Sequence, residues 1–448
     1  MKKIRDSVIA VICYKNEVFV IKRQNYLRAF PGYTTFPGGK VDPDDDAEAD
    51  ESPIFKPFPN DQINALIREM KEELELDLLE LEKEHKIHSV HEMGVAITPD
   101  FNPIRFTTYF YKIVLNEKIE INALDEEAES FEWIDADKLK AKYDRGEVLC
   151  VPPTFAVIKA LADDAHCTEV DLRFEYDQTK YVPIIESLKG VRQAMPLSNT
   201  LFPATRTNCF IIGDVGENIL LMDPSPKDEA ELQKLINSIS QFNPTHIFLS
   251  HHHWDHHEYA PDLARKLGLK IFIGDDAKKR IESKWGTEYF SNIDVHIISD
   301  EEVLTKSLGV EVKTYATPGH DEGQFGLAPV DQRWFIVGDL FQGIGTVVVG
   351  GEEGDMSKYF HSLQRVIAMD PKVVFPSHGI GLGSTHILQK TLEHRQMRED
   401  QVLELTKQGK SKDEILKTLY YDIPEKLYPY AMANIDSHLE KLKIEKKL

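Results

Sequence analysis

The 448-residue sequence is 42% hydrophobic and 29% charged, the balance of a folded globular chain, and it holds no apolar run near the ~20 residues of a membrane span. Its length exceeds what a single hydrophobic core keeps filling, so two or three domains are expected. The formal net charge of −22 argues against general binding to nucleic acid, and Cys13, Cys150, Cys167 and Cys209 include no C-x-x-C pair, which argues against a disulfide framework and fits a reducing, cytoplasmic setting.

In chain order, "MKKIRDSVIAVICYKNEVFVIKR" reads as a first strand and hairpin, since Lys15 and Glu17 interrupt the apolar run and no signal-type cleavage site follows. "RFTTYFYKIVL" is a further strand. "NDQINALIREMKEELELDLLELEKE" is a strong helix, with Ile63, Leu66, Ile67, Met70 and Leu74 at helical spacing. An α+β module is expected over residues 1–165. On that helix Glu69, Glu72 and Glu73 fall at i, i+3 and i+4, three carboxylates on one face. Arg68 can pair with Glu72. The remaining negative field suits Mg2+ or Mn2+, which prefer oxygen ligands; a solvated acidic face is the alternative.

"FPGGK" (Phe36–Lys40), an acidic stretch and then R-E-x-x-E-E resemble the box of Nudix hydrolases, with Asp45 at the position of its first glutamate. The resemblance implies a Nudix fold, a Mg2+ or Mn2+ site on Glu69, Glu72 and Glu73, and catalytic roles for Glu72 and Glu73 in diphosphate cleavage. Arg23, Arg28 and Gly32 precede the glycines as in the coenzyme A diphosphatase subgroup, where the arginines would bind substrate phosphates. The sequence departs from the compact box by the long stretch of residues 46–67 and by Glu75 in place of a glycine. Within the stretch, "DPDDDAEADESPIFKPFP" joins an acidic run to Ile54 and Phe55. It reads as a flap anchored by those two residues, whose removal from Asp46 to Pro59 leaves folding intact.

Polar sequence at 166–187 reads as a linker. Over 188–386, short apolar strands ending in Asp, His or Gly alternate with helices, the pattern of a layered α/β domain whose strand ends build a site. "LSHHHWDHH" (Leu249–His257) contains H-x-H-x-D-H. Positions two apart in an extended segment point the same way, so His251 and His253 can grip one ion, while Asp255 and His256 beyond the bend grip a neighbour. His320 in "TPGHDEG", Asp339 in "IVGDLF" and His378 in "FPSHG" are further candidates. Surface or core roles are expected for His246, His252, His257, His361 and His386. From 387 to 448 the chain reads as helical, with a capping box at Ser411–Glu414.

The ordered set of ligands resembles the metallo-β-lactamase-fold hydrolases. It implies an αββα fold and two Zn2+ ions, one on His251, His253 and His320, the second on Asp255, His256 and His378, with Asp339 bridging. Asp255 would also orient a metal-bound hydroxide. "ATRTNCFIIGD" and "GTVVVGGEEGDMSKYFHSLQRV" resemble the branch holding a single-strand endoribonuclease with a C-terminal winged-helix-like region, whose core glyoxalase II-type thioesterases share. Departures are His257-Glu258 after the motif and Ser225 in "MDPSP". The expectation is a bifunctional hydrolase: zinc-dependent cleavage of an ester, thioester or phosphodiester, plus Nudix cleavage of a diphosphate, on small phosphorylated or acyl substrates such as coenzyme A derivatives. The alternative is a nuclease for single-stranded RNA in which the Nudix part serves binding, regulation or homo-oligomerisation.

Overall fold

The computed structural model describes residues 4–46, 52–102, 104–122 and 126–448. The chain forms two compact units. One reaches to Tyr176 and takes in Glu186–Lys189; the other comprises Asp177–Ile185 and Gly190–Leu448. None of the described helices is long and apolar enough to cross a membrane.

The first unit is built on a mixed sheet in the spatial order Thr34–Thr35, Glu17–Arg23, Arg5–Tyr14, Phe106–Leu115, Ile87–Ile97, with Ala128–Asp135 also pairing Glu17–Arg23. Arg5–Tyr14 is central and parallel to Phe106–Leu115, and its run Val8–Cys13 is buried at every position but Ile9, as a strand covered on both faces must be. The Asn60–Leu74 helix covers one face. Ile63, Leu66, Met70 and Leu74 are its buried stripe, and they pack with Val8, Ala10, Ile12 and Tyr111. The helix ends at Glu75, which adopts the left-handed conformation (φ 53°) and caps it through a bond from its N–H to the Met70 carbonyl. A glycine would take this conformation without strain, but the backbone turn is the one glycine would make.

The anchoring of the insertion by Ile54 and Phe55 agrees with expectation, but its dispensability needs correction. The acidic part, residues 47–51, lies outside the described residues. Phe55, however, is 3% exposed and belongs to the same core as Leu66 and Tyr111, with Ile54 and Phe58 packed against it. Phe58 meets the Tyr111 ring edge-on at 5.3 Å, and Glu82 accepts hydrogen bonds from the Ser52 hydroxyl and, at 3.1 Å, the Ile54 N–H. The second half of the insertion is structural, so excising Asp46–Pro59 removes core side chains.

In the second unit two sheets form the centre. One runs Val295–Ile297, Lys270–Ile273, His246–Leu249, Leu220–Met222, Cys209–Ile212, Val191–Ala194; the other runs Val303–Ser307, Val310–Ala316, Phe325–Pro329, Phe335–Gly338, Val373–Pro376, Leu382–Gly383. Cys209–Ile212, Leu220–Met222, Phe335–Gly338 and Val373–Pro376 are buried at every position. Helices Glu229–Ile239, Ala260–Leu267 and Asp275–Trp285 share a core with the first sheet, and Met356–Met369 shares one with the second. This is the αββα arrangement. The C-terminal helices His386–Lys407, Lys412–Leu419 and Tyr428–Ile444 enclose a small core of their own around Val402, Ile415 and Ile435. Lys412–Leu419 opens with the expected capping box, Ser411 and Glu414 each satisfying the other's backbone N–H.

Truncating Phe55 to alanine is expected to destabilise the first unit by about 3–5 kcal/mol, the usual cost of deleting a buried ring. Denaturant unfolding of the full chain checks this; a loss below about 0.5 kcal/mol, typical of a surface site, would return the segment to a loop.

Candidate metal centres

The first sheet's strand His246–Leu249 delivers the histidine-rich segment. Beyond it Ser250–His253 is extended loop, and Trp254–His257 forms one helical turn. His251 and His253 therefore project from the loop, while Asp255 and His256 sit on the turn. The second sheet supplies the rest: His320 after Val310–Ala316, Asp339 directly after Phe335–Gly338, and His378 just past Val373–Pro376. The structure brings all seven expected side chains together.

Their donor atoms fall into overlapping groups, each with its atoms within 4.8 Å of one another: His251, His253 and His320; His251, His256 and Asp339; Asp255, His256 and His378. His253 Nδ1 lies 3.0 Å from His251 Nε2 and 2.9 Å from His320 Nε2. Asp255 Oδ2 is 3.5 Å from His378 Nε2 and 3.9 Å from His256 Nε2. Asp339 stands between the groups, with Oδ2 3.7 Å from both His256 Nε2 and His320 Nε2 and Oδ1 3.6 Å from His378 Nε2.

Whether metal fits is tested by the polar atoms left over. His256 Nε2, His378 Nε2 and Asp339 Oδ1 are buried with no hydrogen-bond partner among the described residues, a costly condition for groups that face one another. Meanwhile the other nitrogen of each ring is engaged: His256 Nδ1 by Asp223 (2.9 Å), His251 Nδ1 by the Ser250 hydroxyl (2.9 Å), His320 Nδ1 by the Val348 carbonyl (2.7 Å) and His378 Nδ1 by the Arg206 carbonyl (2.9 Å). An imidazole whose Nδ1–H is so held presents a bare Nε2 lone pair inward. The residues fit a pair of divalent ions.

Electrostatics point the same way. Burial opposes the charge on Asp339, yet His378 and His256 hold its carboxyl well below the usual range. Burial likewise opposes protonation of His256, but Asp255, Asp223 and Asp339 together push it well above an ordinary histidine. His320 is depressed to about 4 by burial and by His253.

Asp223 escaped the sequence reading. It ends the strand Leu220–Met222, has φ 54°, and accepts from the Ser250 N–H (2.8 Å) and Ser250 hydroxyl (2.6 Å) besides meeting His256. Its signal was an apolar run ending in Asp. The departures noted in sequence have structural partners. The Ser225 hydroxyl receives the Glu258 N–H at 3.1 Å; His257 is buried against the Tyr289 hydroxyl (2.8 Å); Glu258 accepts from Asn199. His252 turns to the buried carboxylate of Asp321.

In the first unit Gly38 and Gly39 bring the loop against the carboxylate helix. Gly38 has φ 144° and a Cβ there would lie 2.2 Å from the Val8 carbonyl; one on Gly39 would strike the Glu69 carboxylate. Gly38 N–H donates to Glu73 at 2.9 Å. Arg68 grips Asp45 through two nitrogens (3.1 and 2.9 Å) and reaches Glu69 (2.8 Å) and Glu72 (3.1 Å). Glu69 and Glu73 are mostly shielded, whereas Glu72 is exposed. Burial, partly offset by the Gly38 N–H and reinforced by Glu69, raises Glu73 to about 7. Among the described residues these three do not draw their oxygens together as the histidine groups do; Arg68 Nη1 bonds both Glu69 and Glu72 instead. Arg23 donates to the Ala29 carbonyl at 3.2 Å, and Arg28 is exposed on the same loop.

The geometry agrees with known families. Residues 3–150 match the NUDIX domain, residues 203–378 the metallo-beta-lactamase superfamily, and residues 411–448 the beta-lactamase associated winged helix domain. The chain thus joins a NUDIX domain to a metallo-β-lactamase domain with its winged helix, and it is a metal-dependent hydrolase. A Beta-lactamase-like protein 2 homolog of Drosophila melanogaster is 26% identical over 252 residues, covering 54% of this chain and 84% of that protein. An atrochrysone carboxyl ACP thioesterase of Pseudocercospora fijiensis is 25% identical over 256 residues, 56% of this chain and 71% of its own. Among solved structures, a beta-lactamase domain protein from Burkholderia ambifaria is 17% identical, covers 61% of this chain and 91% of its own, and has a TM-score of 0.49.

Replacing Asp223 with alanine is expected to weaken metal binding by about 10–100-fold, the usual cost of removing a carboxylate behind a ligating histidine. Chelator competition on the purified chain measures it, and wild-type affinity in that variant would remove Asp223 from the site.

Proposed function

We propose that the chain is a bifunctional hydrolase, cleaving an acyl thioester or related ester at a binuclear zinc centre and a diphosphate linkage at a Mg2+- or Mn2+-dependent NUDIX centre, with coenzyme A derivatives as the substrate class. The observation that carries the reading is the inward set of unpartnered atoms on His256, His378 and Asp339 amid the other histidines. His251, His253 and His320 would hold one ion, Asp255, His256 and His378 the other, and Asp339 both. Such a pair supplies a hydroxide at neutral pH and polarises the oxygen under attack. Asp255 is the residue to orient that nucleophile: it lies beside His256 and His378 and accepts from the Thr200 side chain.

The acyl reading draws support from the loop that follows Thr200. Leu201 and Phe202, which directly follow Thr200 in the chain, are 59% and 78% exposed, an apolar pair suited to a hydrocarbon group, with Lys426 lying 5.6 Å over the Phe202 ring. The thioesterase relative agrees in chemistry. In the NUDIX domain Glu69, Glu72 and Glu73 would hold the cation, Glu72 and Glu73 serving catalysis as well, with Arg23 and Arg28 meeting phosphates. Two cleavable bonds, a thioester and a diphosphate, occur together in acyl-coenzyme A.

Purified protein with measured metal content should be offered acyl-coenzyme A, nucleoside diphosphate derivatives and single-stranded RNA. Asp339→Ala is expected to lower metal content and cut thioester hydrolysis by more than about 100-fold, with diphosphate cleavage retained. Glu72→Gln and Glu73→Gln should do the converse. Wild-type protein that takes up no transition metal after zinc addition sinks the first assignment; full diphosphatase activity in both glutamine variants sinks the second. Cleavage of RNA without cleavage of thioester would make the centre a nuclease.

A further inference from the structure

The segment after Asp339 does more than lead to the next helix. Its Val348 carbonyl accepts from His320 Nδ1 at 2.7 Å, and Glu353 lies 3.7 Å from His253 Nε2. One short stretch of chain therefore stands behind two of the three histidines in the His251 group. A carbonyl in that position sets which ring nitrogen carries the proton, and so which faces the metal.

What holds the segment comes from the C-terminal helices. Asn434, on Tyr428–Ile444, accepts at Oδ1 from the Val349 N–H (2.9 Å) and from Arg395 Nη1 (3.0 Å). Arg395, on His386–Lys407, donates through Nη2 to the Val347 carbonyl. Both side chains are buried, Arg395 at 5% and Asn434 at 6% exposure. The backbone groups on either side of Val348 are thus pinned by two side chains, while the Val348 carbonyl itself is spent on His320. Contact is direct as well: a Cβ on Gly350 would lie 2.7 Å from the Ala433 carbonyl. Arg395 also stacks over the Tyr359 ring (5.6 Å), and Tyr359 donates to the Leu340 carbonyl, one residue beyond Asp339, at 2.6 Å.

We infer that the C-terminal helical region is a positioning element of the metal centre, with Asn434 and Arg395 fixing the Val347–Val349 segment whose central carbonyl orients His320. The inference rests on the reading of His320 as a metal ligand. It assigns to the appendage a role at the centre that needs no contact with substrate or metal. The expected signature is selective: the His251–His253–His320 site loosens, and the site on Asp255, His256 and His378, held by Asp223 and the Arg206 carbonyl, does not.

Cobalt(II) titration of the metal-stripped full-length chain, followed by visible absorption with a competing chelator, separates the two sites. Wild type should take up two ions. Asn434→Ala is expected to weaken one of them by about 10–100-fold and leave the other's affinity and spectrum unchanged. Asn434→Asp, which keeps an acceptor for both Val349 and Arg395, should restore wild-type uptake. Should Asn434→Ala fail to fold, Arg395→Lys carries the test, since lysine keeps the buried cation but not the fork that spans Val347 and Asn434; the same one-site loss is expected. Two ions bound with wild-type affinity and spectra in the folded variant, or equal weakening of both sites, overturns the inference. A wild type that binds no cobalt overturns the ligand assignment itself, and the inference with it.

Discussion

A carboxylate buried among imidazoles governs the second unit. Asp339 is 4% exposed, and an ionised group so placed is tolerated only where surrounding charge and hydrogen bonds make up for lost water. Its own surroundings are arranged accordingly. Gln342 donates to its Oδ2 at 3.0 Å, and Gln324 receives its backbone N–H at 3.2 Å. Around it, the imidazoles are each fixed from behind by a carboxylate, a hydroxyl or a carbonyl. The chain's polar interior here is a set of supports for groups that face one point.

The two sheets must be locked at that point for the ligands to converge, and Asn208 does much of the locking. It sits at the entry to Cys209–Ile212 in the first sheet, and its side-chain N–H groups reach the Pro376 and Gly379 carbonyls, both at 2.8 Å, across the loop that carries His378. Gln193 Nε2 donates to the Asn208 Oδ1 (2.9 Å) and to the same Gly379 carbonyl (2.8 Å). Both side chains are buried. The strand signature "ATRTNCFIIGD" therefore marks a clamp between sheets, which is why an amide is useful there and an apolar residue would leave carbonyls unmet.

What could be read from sequence divides along one physical line. Ligands are side chains of distinctive type at strand ends, and local geometry nearly determines their direction; the spacing of His251, His253, Asp255 and His256 was enough to expect two groups. Their supports are different. The carbonyls of Val348 and Arg206 belong to every residue type and leave no trace in the letters, and Asn434 lies 86 positions beyond Val348 in a region whose sequence shows only helical periodicity. The insertion divides the same way: Ile54 and Phe55 could be read as an anchor, but that Phe55 joins the core with Leu66 and Tyr111, and that Phe58 packs there too, depends on tertiary contacts that no local pattern encodes. The layered α/β pattern and the carboxylate helix were legible because periodicity and strand-end chemistry are local properties; the αββα and Nudix folds themselves were implied by the resemblance of the motifs.

The two centres solve like-charge crowding by different means, and the difference follows from their donors. Imidazoles can be neutral, so the histidine cluster gathers five of them around two carboxylates. The carboxylate helix has no imidazoles among its donors, and burial raises Glu73 there to about 7. The NUDIX helix instead uses Arg68, anchored by Asp45 and reaching forward to Glu69 and Glu72. The two-point bond to Asp45 fixes the guanidinium independently of its contacts to Glu69 and Glu72. Asp45 thus has a purpose that the long insertion between it and Arg68 does not disturb: sequence distance is irrelevant once the loop folds back, and the shorter aspartate side chain suffices because the turn Pro43–Asp46 brings it to the arginine.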